Sequence, residues 1–282
     1  PEWFSFSAYK RSPVEIIKAI ILGIVQGATE FLPVSSSGHL VLTSSLLGFS
    51  AQGIVFDVLL HLGTLVSVLV VFRKDLLAMF QAPFQWLRGT ISAYQRTYLL
   101  WDLYVIIATI PAVIVGLTLK DQIEKLFTSV TVVCLMLIFT GLMMIASRSV
   151  PERGVRVNGV RALLIGCGQA FAIVPGISRS GTTIFIGMLL GINRETAARF
   201  SFIMSIPAIF GAAVLNMGEV IHYPPGRSEI LLMALGTVAA AATGYLAIMM
   251  LLDVIKRNRL EWFGYYCLMI AAAGLIFLHA SG

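Results

Sequence analysis

The sequence predicts an all-α, polytopic integral membrane protein of about six transmembrane helices plus two re-entrant helical hairpins, arranged as an inverted-topology repeat. Three observations lead there. Of the 282 residues, 58% are hydrophobic and 12% charged, against roughly 45–50% and about 25% in soluble domains, so charge is too scarce to solvate a soluble surface. Six stretches are long and apolar enough to cross a bilayer. Two more exceed one crossing and are broken in the middle by Pro, Gly and Ser. The net charge of +6 is spread along the chain without a dense basic tract, which argues against a nucleic-acid partner. Cys134, Cys167 and Cys267 lie in separate apolar runs and read as small core residues.

In chain order, Pro1 to Ser12 does not read as a signal peptide. The first broken stretch, 19–53, is interrupted at Pro33-Val34-Ser35-Ser36-Ser37-Gly38-His39. Proline ends one helix and serine caps the next, and halves of about 10 to 17 residues fall short of a full crossing. The stretch is therefore read as a hairpin whose tip lies at membrane depth. Residues 55–72 form a span that is apolar except for Asp57 and His61. The segment 73–101 is a connector along the membrane interface, where Met79, Phe80, Phe84, Trp86 and Leu87 alternate with polar residues. Spans at 103–119 and 128–147 complete a first repeat, 14–147. The second broken stretch, 162–193, is interrupted at Pro175-Gly176-Ile177-Ser178-Arg179-Ser180-Gly181-Thr182-Thr183. Spans at 200–218, 230–252 and 262–281 complete a second repeat, 158–282.

Sliding the chain against itself by 143 residues superposes the two broken stretches without a gap. Gly23, Gln26, Ser35, Ser37, Gly38, Leu46, Leu47 and Gly48 fall on Gly166, Gln169, Ser178, Ser180, Gly181, Leu189, Leu190 and Gly191. One hairpin and three spans per repeat invert the second copy and bring both tips to the midplane. With both termini outside, thirteen Lys and Arg fall in inside loops and six in outside loops, the sense the positive-inside rule requires.

An ionisable group at membrane depth costs at least about 2.5–3.5 kcal/mol and needs a partner or a function. Those here are Glu30, His39, Asp57, His61 and Arg179. If the tips meet, Arg179 faces Glu30 and His39 beside the hydroxyls of Ser35, Ser36, Ser37, Ser178, Ser180 and Thr182. A guanidinium fork, several hydroxyl donors and two helix N-termini suit a phosphate. The serines can equally serve as plain helix caps. Asp57 and His61 stand four apart on one helix face and could share a hydrogen bond or offer two metal ligands. A divalent cation, Mg or Ca, is left open on that pair and no metal site is assigned.

The segments from Gln26 to His39 and from Pro175 to Thr183, with Phe56-Asp57-Val58-Leu59-Leu60-His61-Leu62-Gly63-Thr64 between them, resemble the bacterial undecaprenyl-diphosphate phosphatase family associated with bacitracin resistance. The likeness runs from about Glu15 to the C-terminus. It implies an enzyme of the bacterial cytoplasmic (inner) membrane whose site opens to the outer, periplasmic side. Its substrate would be a polyprenyl diphosphate lipid, hydrolysed to undecaprenyl phosphate and inorganic phosphate to recycle the carrier for cell-wall synthesis. On that resemblance Arg179, Ser178, Ser180 and Thr182 hold the diphosphate, with Ser35, Ser37 and Gln26 beside them. Ser36 is the nucleophile, Glu30 and His39 are the acid/base pair, and Asp57 and His61 are supporting residues. The chain departs from the family's paired-Glu motif at Gln26, which leaves Glu30 as the motif's one carboxylate. The alternative is a transporter or flippase of a phosphorylated polyprenyl lipid, since inverted repeats with broken helices also build transporters. A homo-oligomer is left open.

Overall fold

The computed structural model describes residues 13–48, 53–215 and 227–281, and readings that fall on the remaining residues, Pro1 to Ser12 among them, lie outside it. The described residues contain no strand. They form α1 (Pro13–Glu30), α2 (Ser36–Leu47), α3 (Gly53–Val71), α4 (Arg73–Leu87), α5 (Ala93–Thr118), α6 (Lys120–Phe127), α7 (Val130–Ala146), α8 (Gly159–Phe171), α9 (Arg179–Leu189), α10 (Arg194–Leu215), α11 (Arg227–Lys256) and α12 (Glu261–Ser281).

Helices α5, α7, α10, α11 and α12 are each long and apolar enough to cross a membrane, and α3 with α4 makes a sixth candidate bent by 79°. Five of the six predicted spans correspond to these helices over the described residues, and the sixth, 55–72, is α3, which meets the criterion together with α4; the chain is an integral membrane protein by length and composition of its helices. The outward faces agree. On α5 the apolar Leu103, Ile106, Ile110, Val113, Ile114 and Leu117 are exposed, an arrangement that lipid solvates and water does not.

Three boundaries are corrected. The connector does not run from 73 to 101, because α5 begins at Ala93. Ser92 caps it in a reciprocal box with Gln95, which satisfies two of the helix's orphan donors. Tyr94, Gln95, Arg96 and Asp102 in its first three turns hide this start from hydropathy. The connector is thus α4 and a short turn. Leu77, Phe80, Phe84 and Leu87 form an exposed stripe on α4, while Met79 and Ala82 are buried. Buried Asp75 fastens the helix down by accepting from Tyr98 Oη at 2.8 Å and pairing with Arg199 at 3.4 Å. The broken stretches also start earlier than read, at Pro13 and Gly159.

Close backbone approach organises the bundle. Helix α1 packs along α11, and α8 packs along α5. A Cβ on Gly23 would lie 2.2 Å from the Gly236 carbonyl oxygen, and one on Gly166 would lie 2.3 Å from that of Ala108. These are the first pair of residues matched by the 143-residue offset, and each lets its helix touch a neighbour's backbone. Small residues at the interface are how helices gain dispersion contact in a solvent as apolar as themselves. Between these pairs, Phe31, Phe72, Phe200 and Phe202 fill a common core that supports the first break from below, with Phe31 edge-on to Phe202 at 5.6 Å.

Candidate active site at the two helix breaks

Both breaks are built alike. Helix α1 stops at Glu30, the chain turns through residues 31–34, and Ser35 caps α2 by accepting from Gly38 N at 3.3 Å. In the second break α8 stops at Phe171, and Ser178 caps α9 by accepting from Gly181 N at 3.1 Å. The caps lie 143 residues apart. Around them the hydroxyls pair identically, Ser35 with Ser37 at 3.2 Å and Ser178 with Ser180 at 3.3 Å. The capping reading fits Ser35 and Ser178, while Ser37 and Ser180 lie within the first turn and pair with them; the first residue of each half-helix, Ser36 and Arg179, is left for other contacts.

The first break carries strain. Ser35 has φ 68°, a left-handed conformation that costs a residue with a Cβ of order 1–3 kcal/mol. In the second break that role falls to Gly176, at φ 92°, where a Cβ would lie 2.4 Å from the Val133 carbonyl oxygen. Thr140 of α7 ties this turn down, donating to Gly176 O at 2.9 Å and accepting from Ser178 N at 3.1 Å.

The two tips meet. Ser180 Oγ donates to the Leu32 carbonyl at 3.2 Å across the junction, and Arg179 Nη2 donates to Glu30 Oε1. Glu30 is the hub. Its other oxygen, Oε2, accepts from Ser36 Oγ at 2.6 Å and from Gln26 Nε2 at 2.9 Å. One carboxylate thereby holds a hydroxyl of the first half and a guanidinium of the second. The Glu30 side chain is 4% exposed and that of Arg179 19%, so the pair is buried at its acidic end and open at its basic one. Glu30 takes one of the five guanidinium donors, and the N-termini of α2 and α9 add their positive dipole ends beside it. A ligand reaching this place meets a cation, a nucleophile-sized hydroxyl and a base within one cluster.

The histidines exchange their expected places. His39 does not join Glu30 and Ser36. Its Nδ1 sits 2.9 Å from the Ser35 carbonyl and its Nε2 2.9 Å from Tyr266 Oη of α12, the two rings nearly parallel at 7°. At the Glu30 carboxylate stands His61, with Nε2 3.7 Å from Oε2. His61 Nδ1 turns to the Asp57 backbone carbonyl at 2.7 Å, and among the described residues no three His, Cys, Asp or Glu side chains gather as a metal site. Thr182 is spent locally, donating to Ser178 O at 2.7 Å, much as His39 sits on Ser35 O. Tyr266 and Thr140 escaped the sequence reading because a lone Tyr or Thr in an apolar span carries no pattern.

The class is thus defined: a polytopic membrane protein with a buried carboxylate–guanidinium–hydroxyl site where two interrupted helices meet. The family follows from comparison with known proteins. The chain belongs to the family described as bacitracin resistance protein BacA, whose model matches residues 19–273. Similar proteins named undecaprenyl-diphosphatase include that of Rubrobacter xylanophilus, 44% identical over 92% of this chain and 97% of its own. That of Christiangramia forsetii is 40% identical over 95% and 100%. That of Methanobrevibacter smithii is 42% identical over 91% and 95%.

Proposed function

We propose that this protein hydrolyses undecaprenyl diphosphate to undecaprenyl phosphate and inorganic phosphate. The observation that carries the reading is the Ser36–Glu30–Arg179 cluster, which joins a hydroxyl, a base and a phosphate-binding cation across the two breaks. The names of its relatives point to the same reaction and favour hydrolysis over transport. Ser36 Oγ attacks the terminal phosphorus while Glu30 Oε2 takes its proton, and Arg179 with the α2 and α9 N-termini balances the charge on the transferring group. Phosphoryl transfer asks little more of a protein than such positioning and charge stabilisation. Ser35, Ser37, Ser178 and Ser180 shape the tips. Thr182 and His39 brace the helix starts, and Gln26 orients Glu30.

The repeat reading, 14–147 against 158–282 in opposite orientation, is part of this proposal. The matched caps, matched hydroxyl pairs and matched glycine contacts support it. The location is part of it too: a cytoplasmic (inner) membrane protein whose site opens to the outer side, where the polyprenyl tail stays in lipid while its head group enters between the tips. The test is phosphate release by the purified protein from undecaprenyl diphosphate, with R179A and E30A as controls. Release by the wild type and its loss in both variants is expected. A folded R179A protein of full activity overturns the reading.

A further inference from the structure

We propose that His61 is the proton relay of this site, carrying to water the proton that Glu30 receives from Ser36; the inference rests on the phosphatase reading above and extends it. The reaction needs such a route. Hydrolysis of a diphosphate into a lipid phosphate and inorganic phosphate near neutral pH sets one proton free, and Glu30 is too buried to deliver it. Of its neighbours, the Gln26 amide does not titrate and the Arg179 guanidinium is permanently protonated. The histidine expected to share the work, His39, has both nitrogens committed to Ser35 and Tyr266.

His61 has what the others lack. Its Nδ1 lies 2.7 Å from a backbone carbonyl, which can only accept, so Nδ1 carries the hydrogen and Nε2 is the basic nitrogen in the neutral ring. That Nε2 stands 3.7 Å from Glu30 Oε2, the same oxygen that accepts the Ser36 hydroxyl. The gap is longer than a direct hydrogen bond, yet it lets one water touch both atoms. The His61 side chain is 36% exposed against 4% for Glu30, so it reaches from the buried carboxylate toward the surface of the helix bundle. From α1 it faces the Glu30 carboxylate, and on its own helix it is held at the Asp57 backbone carbonyl.

The protons balance as follows. Ser36 Oγ bonds to the terminal phosphorus, the bond from that phosphorus to the bridging oxygen breaks, and the lipid phosphate leaves with the electron pair. The Ser36 proton goes to Glu30 Oε2, then to His61 Nε2, and the imidazolium hands it to water, which leaves Glu30 ionised again. In the second step water bonds to the phosphorus and gives one proton to Glu30. The bond to Ser36 Oγ breaks, and Glu30 returns that proton to the oxygen.

The experiment compares wild type, H61A and H61Q in phosphate release from undecaprenyl diphosphate, with and without added imidazoles. Both variants should lose about 10²–10⁴-fold in kcat, the usual span for a positioned acid/base group, with KM unchanged. Imidazole should restore part of the H61A rate, more so for the more basic substituted imidazoles, because a diffusible base replaces the missing one. Glutamine fills the space and can hydrogen-bond but does not titrate, so an H61Q protein as active as wild type overturns the relay. A folded H61A protein indifferent to imidazole overturns it as well. A wild type that releases no phosphate overturns the phosphatase reading and the relay together, whereas an active wild type beside an equally active H61Q removes the relay alone.

Discussion

Replacing Arg179 with Met keeps an apolar stem of similar length and deletes the guanidinium, which isolates the charge on Glu30. The structure sets the size of the effect. Glu30 is 4% exposed, keeps Ser36 and Gln26 as donors, and loses the one permanent cation of the cluster. Removing one member of a buried ion pair costs about 3–5 kcal/mol. We expect the lower end, about 3 kcal/mol, because His61 lies 3.7 Å away and can take up a proton to compensate. Adding Glu30→Gln removes the stranded charge, so E30Q/R179M should regain most of that stability. Activity should not return. An arginine that stabilises a transferring phosphoryl group is worth about 10³–10⁵ in rate, and neither variant has it. The assay is a double-mutant cycle: melting in detergent for all four proteins, with phosphate release measured alongside. The reasoning fails if R179M melts with the wild type, if the double variant is no more stable than R179M, or if either hydrolyses substrate at the wild-type rate.

Three further outcomes follow from named contacts. Ser36→Ala removes a donor from the buried Glu30 carboxylate, so it should lower melting modestly, by about 1–3 kcal/mol, and abolish phosphate release in the folded protein, and a single turnover quenched on the wild type should leave phosphate on Ser36; label elsewhere, or an active S36A, contradicts the nucleophile assignment. Thr140→Val keeps the shape of the side chain but strands Gly176 O and Ser178 N, which should cost about 1–3 kcal/mol for each buried group left unsatisfied, read as a lower melting temperature. Gly166→Ala drives a methyl to 2.3 Å from the Ala108 carbonyl oxygen. The α5–α8 pair must then separate, so the variant should lose about 1–3 kcal/mol or more; a melting temperature equal to the wild type's would show that the helices do not pack this closely.

The spans were legible because bilayer thickness imposes a length and a composition that survive in the sequence without any tertiary information. The helix breaks were legible for a similar local reason, since proline and a capping serine act within a few residues. Even the meeting of Arg179 with Glu30 could be foreseen from the expense of two opposite charges at membrane depth. The histidines show where that reasoning stops. His39 is four residues from the Ser35 cap and three from Ser36, and the family resemblance implied a place for it at the reaction centre. Three residues along a helix leave Ser36 and His39 on the same side, about 60° apart, yet tertiary packing sets the His39 ring against Tyr266 on a helix more than two hundred residues away. His61 reaches Glu30 only because α3 packs beside α1, a fact of tertiary packing that no spacing encodes. The start of α5 was hidden for the opposite reason: its cap is local, but its polar first turns look like a loop to any hydropathy scale.

The offset of 143 residues places Ser36 on Arg179, the first residue of α2 on the first residue of α9. Both sit at a capped helix N-terminus, in the same local geometry, yet one is a small hydroxyl and the other a long cation. The same offset sets Glu30 against Ile173. On the proposed repeat, two halves left alike would offer a phosphate two cations or two nucleophiles, and a displacement needs one of each. The exchange of residues at these two registers resolves this with a minimum of change, since the caps, the hydroxyl pairs and the close glycine contacts are kept and the chemistry alone is split. It also explains why Glu30 can bind both partners at once: the carboxylate occurs in one half, and the tips bring the residue it activates and the residue that neutralises it to its two oxygens. An exchange variant, S36R/R179S, would restore the composition of the cluster while moving the cation to the oxygen that must accept the nucleophile's proton. It should bind phosphate and release none from the lipid, and an active exchange variant would show that the position of these side chains relative to Glu30 is immaterial.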